Sequence, residues 1–172
     1  MRWLSRTELI VGRENLETLA GKNVLVVGMG GVGSFAAEFI CRGGVGKMTI
    51  VDGDTVDLTN CNRQLPAMAS TVGQYKVDIM SERLKNINPA LDLTVIKEFL
   101  SQERIEQILE TRYDYVVDAI DSVTPKLHII KTAYERRIPF VSSMGAGGRI
   151  DPTRVRIADI SKSKNCKLAQ HI

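Results

Sequence analysis

The stretch Gly28-Met29-Gly30-Gly31-Val32-Gly33 constrains this chain more than any other, because it separates a strand-like run from a helix-like one. Residues 23 to 27, NVLVV, are a short β-branched run that stops at glycine, the pattern of a parallel strand buried on both faces. From Val32 onward, Phe35, Ala36, Phe39 and Ile40 recur at helical spacing until Gly43-Gly44 ends the pattern. A glycine turn between a strand and a helix brings an anion up to the free N–H groups of the helix's first turn. The segment is therefore expected to cradle a nucleotide phosphate; the alternative is a tight turn that serves packing alone. A ribose-binding acid is expected about 20 residues further on, and Asp52 stands there, closing a second strand-like run at 47–51, KMTIV.

The alternation continues along the chain. A longer helix carries Val77, Met80, Leu84 and Ile87 on one face and ends at Asn88-Pro89; a third strand follows at 93–96. Ser101 is placed to cap a helix bearing Ile105, Ile108 and Leu109, and YVVDA at 115–119 reads as a fourth strand. Pro125 sits in the first turn of a helix carrying Leu127, Ile130 and Ala133, and Pro139 to Ser142 is a fifth strand. Strand and helix taking turns in this way predict an α/β, Rossmann-like, doubly wound sheet, mainly parallel, with helices on both faces. The first twenty residues read as one or two short helices ahead of the sheet, and the tail after Asp159 starts no convincing element.

With 172 residues and 44% apolar composition, the chain is expected to form a single domain over residues 1–172. A net charge of +3 is mildly basic, compatible with an anionic partner the size of a tRNA but not diagnostic of one. The three cysteines, Cys41, Cys61 and Cys166, lie far apart and form no CxxC pair, so neither a disulfide framework nor a zinc site is suggested. No stretch reaches the roughly 18 apolar residues that a membrane-spanning helix needs. A cytoplasmic protein without membrane contact is expected.

Beyond the glycine loop, several polar residues fall where open α/β sheets bind ligands, just after strand ends. Asp52-Gly53-Asp54 is followed by Asn60-Cys61-Asn62-Arg63-Gln64, a run of amide and guanidinium donors suited to a polyphosphate; the lesser alternative for Arg63 is a surface salt-bridge residue. Lys76 opens a helix, where the macrodipole disfavours a cation unless an anion compensates, so it is either a phosphate ligand or a solvated lysine. Asp118 and Asp121 flank the end of the fourth strand, where a carboxylate can hold Mg²⁺ beside phosphates or cap the next helix. His128 and His171 pair with no cysteine or serine, which argues against a His-activated nucleophile.

In this order, GMGGVG, VDGDTVDLTNCNRQ, VGQYK and VVDAIDS resemble the superfamily of ubiquitin-activating, ThiF and MoeB-type adenylating enzymes. SRTELIVG, ERLKNINP, DSVTPK, GAGGRIDPT and ADISK look more narrowly like the bacterial tRNA threonylcarbamoyladenosine dehydratases. The resemblance covers residues 5 to 168. It implies that Gly28, Gly30, Gly31, Gly33, Asp52 and Asp54 hold ATP, that Asn60, Arg63, Gln64 and Lys76 act on its phosphates, and that Asp121 binds Mg²⁺. It also implies a homodimer in which Arg6 reaches the neighbouring chain's nucleotide.

The reaction implied for the narrower family is ATP-dependent adenylation of the threonylcarbamoyladenosine carboxylate in tRNA, followed by cyclising dehydration. The alternative is adenylation of the C-terminus of a ubiquitin-like sulfur-carrier protein, which would bring a sulfur-transfer partner. The missing CxxC pairs weigh against that branch. A nicotinamide-dependent oxidoreductase is a third reading of GxGxxG with Asp52, but it leaves Arg63 and Lys76 unexplained. Members of the dehydratase family continue well past this point, so the chain is expected to be a truncated adenylating domain.

Overall fold

The structure, a computed structural model, describes residues 2–172. Its centre is a five-stranded sheet of β1 (Asn23–Val27), β2 (Lys47–Val51), β3 (Asp92–Ile96), β4 (Tyr115–Asp118) and β5 (Phe140–Ser142), in the order β3-β2-β1-β4-β5. All four pairings are parallel, with Val27 level with Val51 on one side and with Asp118 on the other. Strand order reverses at β1, so the carboxyl ends of β1, β2 and β4 open onto a crevice, where doubly wound sheets bind ligands.

Helices α1 (Ser5–Val11) and α2 (Arg13–Ala20) precede the sheet, as expected; α3 (Gly33–Arg42), α4 (Lys76–Ile87), α5 (Gln102–Ile108) and α6 (Val123–Glu135) follow successive strands. Alternate residues of β1 serve two cores. Val24 and Val26 pack with Ala37 and Cys41 of α3 and with Met80 and Leu84 of α4. Leu25 and Val27 pack with Ile105 and Ile108 of α5 and Ile129 of α6. Both faces are therefore covered, which is why the strands read as unbroken apolar runs. Ser101 caps α5 as its position suggested, accepting the Arg104 N–H at 3.2 Å. Among the described residues no helix is long and apolar enough to cross a membrane.

Two helices are rotated from what their large apolar residues suggest. α3 buries Gly33, Ser34, Ala37, Glu38 and Cys41 and leaves Phe35 and Phe39 exposed, Phe39 by 67%. The cause is close approach at the first turn: a Cβ at Gly33 would lie 1.7 Å from the Gly28 carbonyl oxygen, so the helix sets its small residues, Gly33, Ser34 and Ala37, against the sheet there. α6 buries Lys126, Ile129, Thr132 and Ala133, whereas Leu127 is exposed. The tail also differs from expectation. It ends in a short helix, α7 (Lys167–Gln170), and Cys166 is buried there, with its thiol 3.8 Å from the Gly145 carbonyl.

Candidate active site

The glycine loop is pinned at both ends. Gly28 has φ +90°, and a Cβ there would come within 2.8 Å of the Ala119 carbonyl oxygen, so the loop lies directly against the chain leaving β4. Asp52 holds it from the other side: its Oδ2 accepts the Met29 N–H at 2.6 Å and its Oδ1 the Asp54 N–H at 2.8 Å. Burial pushes the Asp52 carboxyl up, and the two N–H donors and the Lys76 charge offset this only in part. Among the described residues, the N–H groups of Gly30, Gly31, Val32 and Gly33 have no acceptor. Those of Val32 and Gly33 belong to the N-terminus of α3, at the positive end of its dipole, and those of Gly30 and Gly31 lie in the turn just before it.

A cleft of about 270 Å³ opens here, lined by Gly28, Gly30, Asp52, Asp54, Gln64, Lys76 and Asp121 of the expected residues. The anion that Lys76 requires at a helix start is Asp54, whose Oδ2 lies 2.5 Å from the buried Lys76 Nζ. Gln64 brings a buried Oε1 that has no hydrogen-bond partner among the described residues. Asp121 is exposed and, among the described residues, its carboxylate is in no hydrogen bond or ion pair; it did not become a helix cap, the cap position of α6 being Ser122. The residues from Glu98 to Leu100 and Pro125 also line the cleft and were not anticipated, because nothing in an apolar loop sequence signals which strand end it will overhang. A larger groove of about 330 Å³ lies beside α5 at the amino ends of the strands, next to Asn23, Lys47 and Asp92. It contains none of the expected residues, and ligands of such sheets bind at the opposite edge.

The remaining expected residues stand outside the cleft lining. Gly33 is used in packing, and Gly31 backs onto Arg63, whose carbonyl oxygen would be 3.3 Å from a Cβ there. Asn60 is buried, with Oδ1 accepting the Asp57 N–H at 3.1 Å in the 3-10 turn Leu58–Asn60. Arg63 is exposed; its Nη1 donates to the Thr59 carbonyl at 3.0 Å and to Asn62 Oδ1 at 2.9 Å. Arg6 is exposed on α1. Asp118 is fully buried and answers Lys126, which no sequence pattern singled out: Lys126 Nζ donates to Asp118 Oδ2 at 2.5 Å, Ser142 Oγ at 3.1 Å and the Ser143 carbonyl at 3.0 Å. The available signal was a lysine in phase with Ile129 and Ala133.

Glycine loop, acidic strand end, donor run and second acid occur in the order that one family shares, and residues 4–171 match ThiF. The chain belongs to the ThiF family. A tRNA threonylcarbamoyladenosine dehydratase of Bacillus subtilis (strain 168) is 51% identical to this ThiF chain over 166 residues, 96% of the chain and 65% of that protein. The molybdopterin-synthase adenylyltransferase of Escherichia coli (strain K12) is 33% identical over 135 residues, covering 78% of the chain and 53% of that protein. Among solved structures, the E. coli tRNA N6-threonylcarbamoyladenosine dehydratase TcdA in complex with ATP has a TM-score of 0.96 at 40% identity, covering 98% of the chain and 70% of that one. The chain thus spans just under two thirds of the length of the Bacillus relative.

Proposed function

We propose that this chain is the ATP-binding adenylating domain of a tRNA threonylcarbamoyladenosine dehydratase, acting in the cytoplasm as a homodimer. The observation that carries the reading is the cleft itself: the turn Gly28 to Gly30, with the free Gly30 N–H, at one strand end, a buried lysine and two acids at the second, and an acid that pairs with none of the described residues at the third share one opening. Such a set matches a triphosphate nucleotide, with N–H groups and Lys76 toward the phosphates and Asp52 toward the ribose. Resemblance to the dehydratases, rather than cleft geometry, supports tRNA over a carrier protein in this reading.

In this reading the threonylcarbamoyl carboxylate attacks the α-phosphorus of ATP and pyrophosphate leaves, giving an acyl adenylate. The carbamoyl nitrogen of the same side chain then attacks the activated carbonyl carbon, loses its proton and expels AMP, closing the ring. Intramolecular closure needs no enzyme nucleophile. That suits a chain whose Cys41 and Cys166 are buried and whose Cys61 lines no part of the cleft. The chain's part is to hold and orient: the loop N–H groups and Lys76 would bind phosphate oxygens, Arg63, which backs onto Gly31 of the loop, would neutralise charge on the α-phosphate, and the Asn60 amide would serve as a further hydrogen-bond donor there. The free Asp121 carboxylate is the residue to hold Mg²⁺, which takes one or two carboxylates together with substrate phosphates and neutralises phosphate charge when bound. In a dimer, Arg6 would act on the neighbouring chain's nucleotide.

Calorimetric titration tests the nucleotide assignment. ATP should bind the parent protein more tightly than NADH, and Asp52→Ala should weaken ATP binding. Tighter binding of NADH, with ATP unaffected by Asp52→Ala, would move the chain to the oxidoreductase reading.

A further inference from the structure

The chain's positive charge is concentrated in one short piece. Residues 149 to 167 hold six cations and two acids, a formal +4, while the seventeen cations and eighteen acids elsewhere leave −1. This piece follows β5, and every residue from 146 to 165 is exposed. Its two acids are occupied locally. Asp151 accepts from Thr153 N and Oγ1 at 3.1 and 2.6 Å, and Asp159 from Ser161 N and Oγ at 3.0 and 2.6 Å. Among the described residues, Arg154, Arg156, Lys162, Lys164 and Lys167 enter no ion pair, whereas the buried Lys76 and Lys126 both do.

The segment is a shaped loop. Arg149 ties its two ends together, donating from Nη2 to the Asn165 carbonyl at 2.5 Å and from Nε to the Gly145 carbonyl at 3.3 Å. Its root is fixed to the sheet, since the Ser143 N–H reaches the Asp118 carbonyl at 2.8 Å and Lys126 Nζ the Ser143 carbonyl at 3.0 Å. Asp118 ends β4, and the next four residues wall the nucleotide cleft. The loop therefore leaves the ligand-binding edge one strand away, about 5 Å, from the cleft wall.

We propose that this loop is a phosphate-backbone clamp for RNA, with Arg154, Arg156, Lys162, Lys164 and Lys167 contacting successive phosphates of the tRNA whose modified nucleoside enters the adjacent cleft. The inference rests on the tRNA reading of the function. RNA is favoured over a carrier protein because the five unpaired cations match a dense polyanion, whereas a peptide C-terminus presents a single carboxylate for capture. Contacts of this kind position without reading sequence, and each phosphate neutralised releases counterions on binding.

The test is tRNA binding by the purified protein across a KCl series, for the parent, for Arg154→Ala/Arg156→Ala/Lys162→Ala, and for a control of equal charge loss, Lys47→Ala/Arg112→Ala/Lys131→Ala. The clamp triple should weaken binding at least tenfold and flatten the log K against log salt slope by about 2 to 3, roughly one per lost phosphate contact. Control affinity should stay within about threefold, and ATP binding by calorimetry should be the same in all three proteins. A clamp triple that matches the control in affinity and slope overturns the proposal while leaving the tRNA reading intact. If the parent itself binds no tRNA at low salt but adenylates a carrier protein, the tRNA reading fails and the clamp with it.

Discussion

Replacing Lys126 with methionine should destabilise the protein by about 3 to 5 kcal/mol, the cost of leaving a buried carboxylate without its cation. The structure sets that size. Both side chains are fully buried, all three ammonium protons of Lys126 have acceptors, and Asp118 also accepts from Ser142 Oγ at 2.6 Å and the Ile120 N–H at 3.0 Å. Lys126→Met keeps the apolar stem but leaves the Asp118 charge with neutral donors only. For a chain of 172 residues, the loss corresponds to a fall in Tm of roughly 6 to 20 °C. Asp118→Asn/Lys126→Met removes the charge with its partner and should recover to within about 2 kcal/mol of the parent, because a buried pair is worth far less than the penalty for breaking it. Urea unfolding followed by circular dichroism measures all three proteins. A Lys126→Met variant within 1 kcal/mol of the parent, or a double variant no more stable than the single, would refute the reasoning.

Arg63→Ala should lower single-turnover adenylation by roughly two to three orders of magnitude, since a donor aimed at transition-state charge contributes about 2.7 to 4 kcal/mol; ATP affinity should fall less than about tenfold, and near-parental turnover would make Arg63 a turn residue only. Asp121→Ala should raise the Mg²⁺ concentration needed for half-maximal ATP binding, read by calorimetry, and an unchanged Mg²⁺ dependence would remove Asp121 as the ligand. Gly33→Ala should abolish ATP binding and lower stability by more than about 2 kcal/mol, because a Cβ 1.7 Å from the Gly28 carbonyl displaces the loop; full ATP affinity in that variant would contradict the packing described. The Arg83 guanidinium holds the Glu38 carboxyl below its usual range, against burial, with Arg42 assisting, so the folded value lies under the unfolded one. That stability is present above the unfolded value of about 4.5 and is lost as pH falls through the folded one. Glu38→Gln should therefore cost about 1 kcal/mol at pH 7, discounted for the exposure of both arginines, with a gap that narrows below about pH 4.5; a gap independent of pH would reject this.

Where backbone and local pattern decide the outcome, the fold was legible: NVLVV and KMTIV are strands at the expected residues, and Val77, Met80 and Leu84 are the buried face of α4. The glycine loop fixed the crevice, and the residues expected from the strand ends, Asp52, Lys76 and Asp121, line one cleft. What was not legible depends on distance between elements. Phe35 and Phe39 dominate a hydrophobic scan, yet α3 turns them outward because Gly33 must approach Gly28. Lys126 reads as a surface residue until the fold sets Asp118 and Ser142 around it. Arg6 and Arg63 face solvent in the single chain, so their roles rest on the family resemblance and on the dimer it implies.

The most direct measurement is mass spectrometry of the products after incubation with ATP, Mg²⁺ and threonylcarbamoyladenosine-containing tRNA. A dehydratase built on this site should release AMP and pyrophosphate in equal amounts and return a nucleoside lighter by one water. An unchanged nucleoside with no AMP, beside an AMP-linked carrier-protein C-terminus in the parallel reaction, would contradict it.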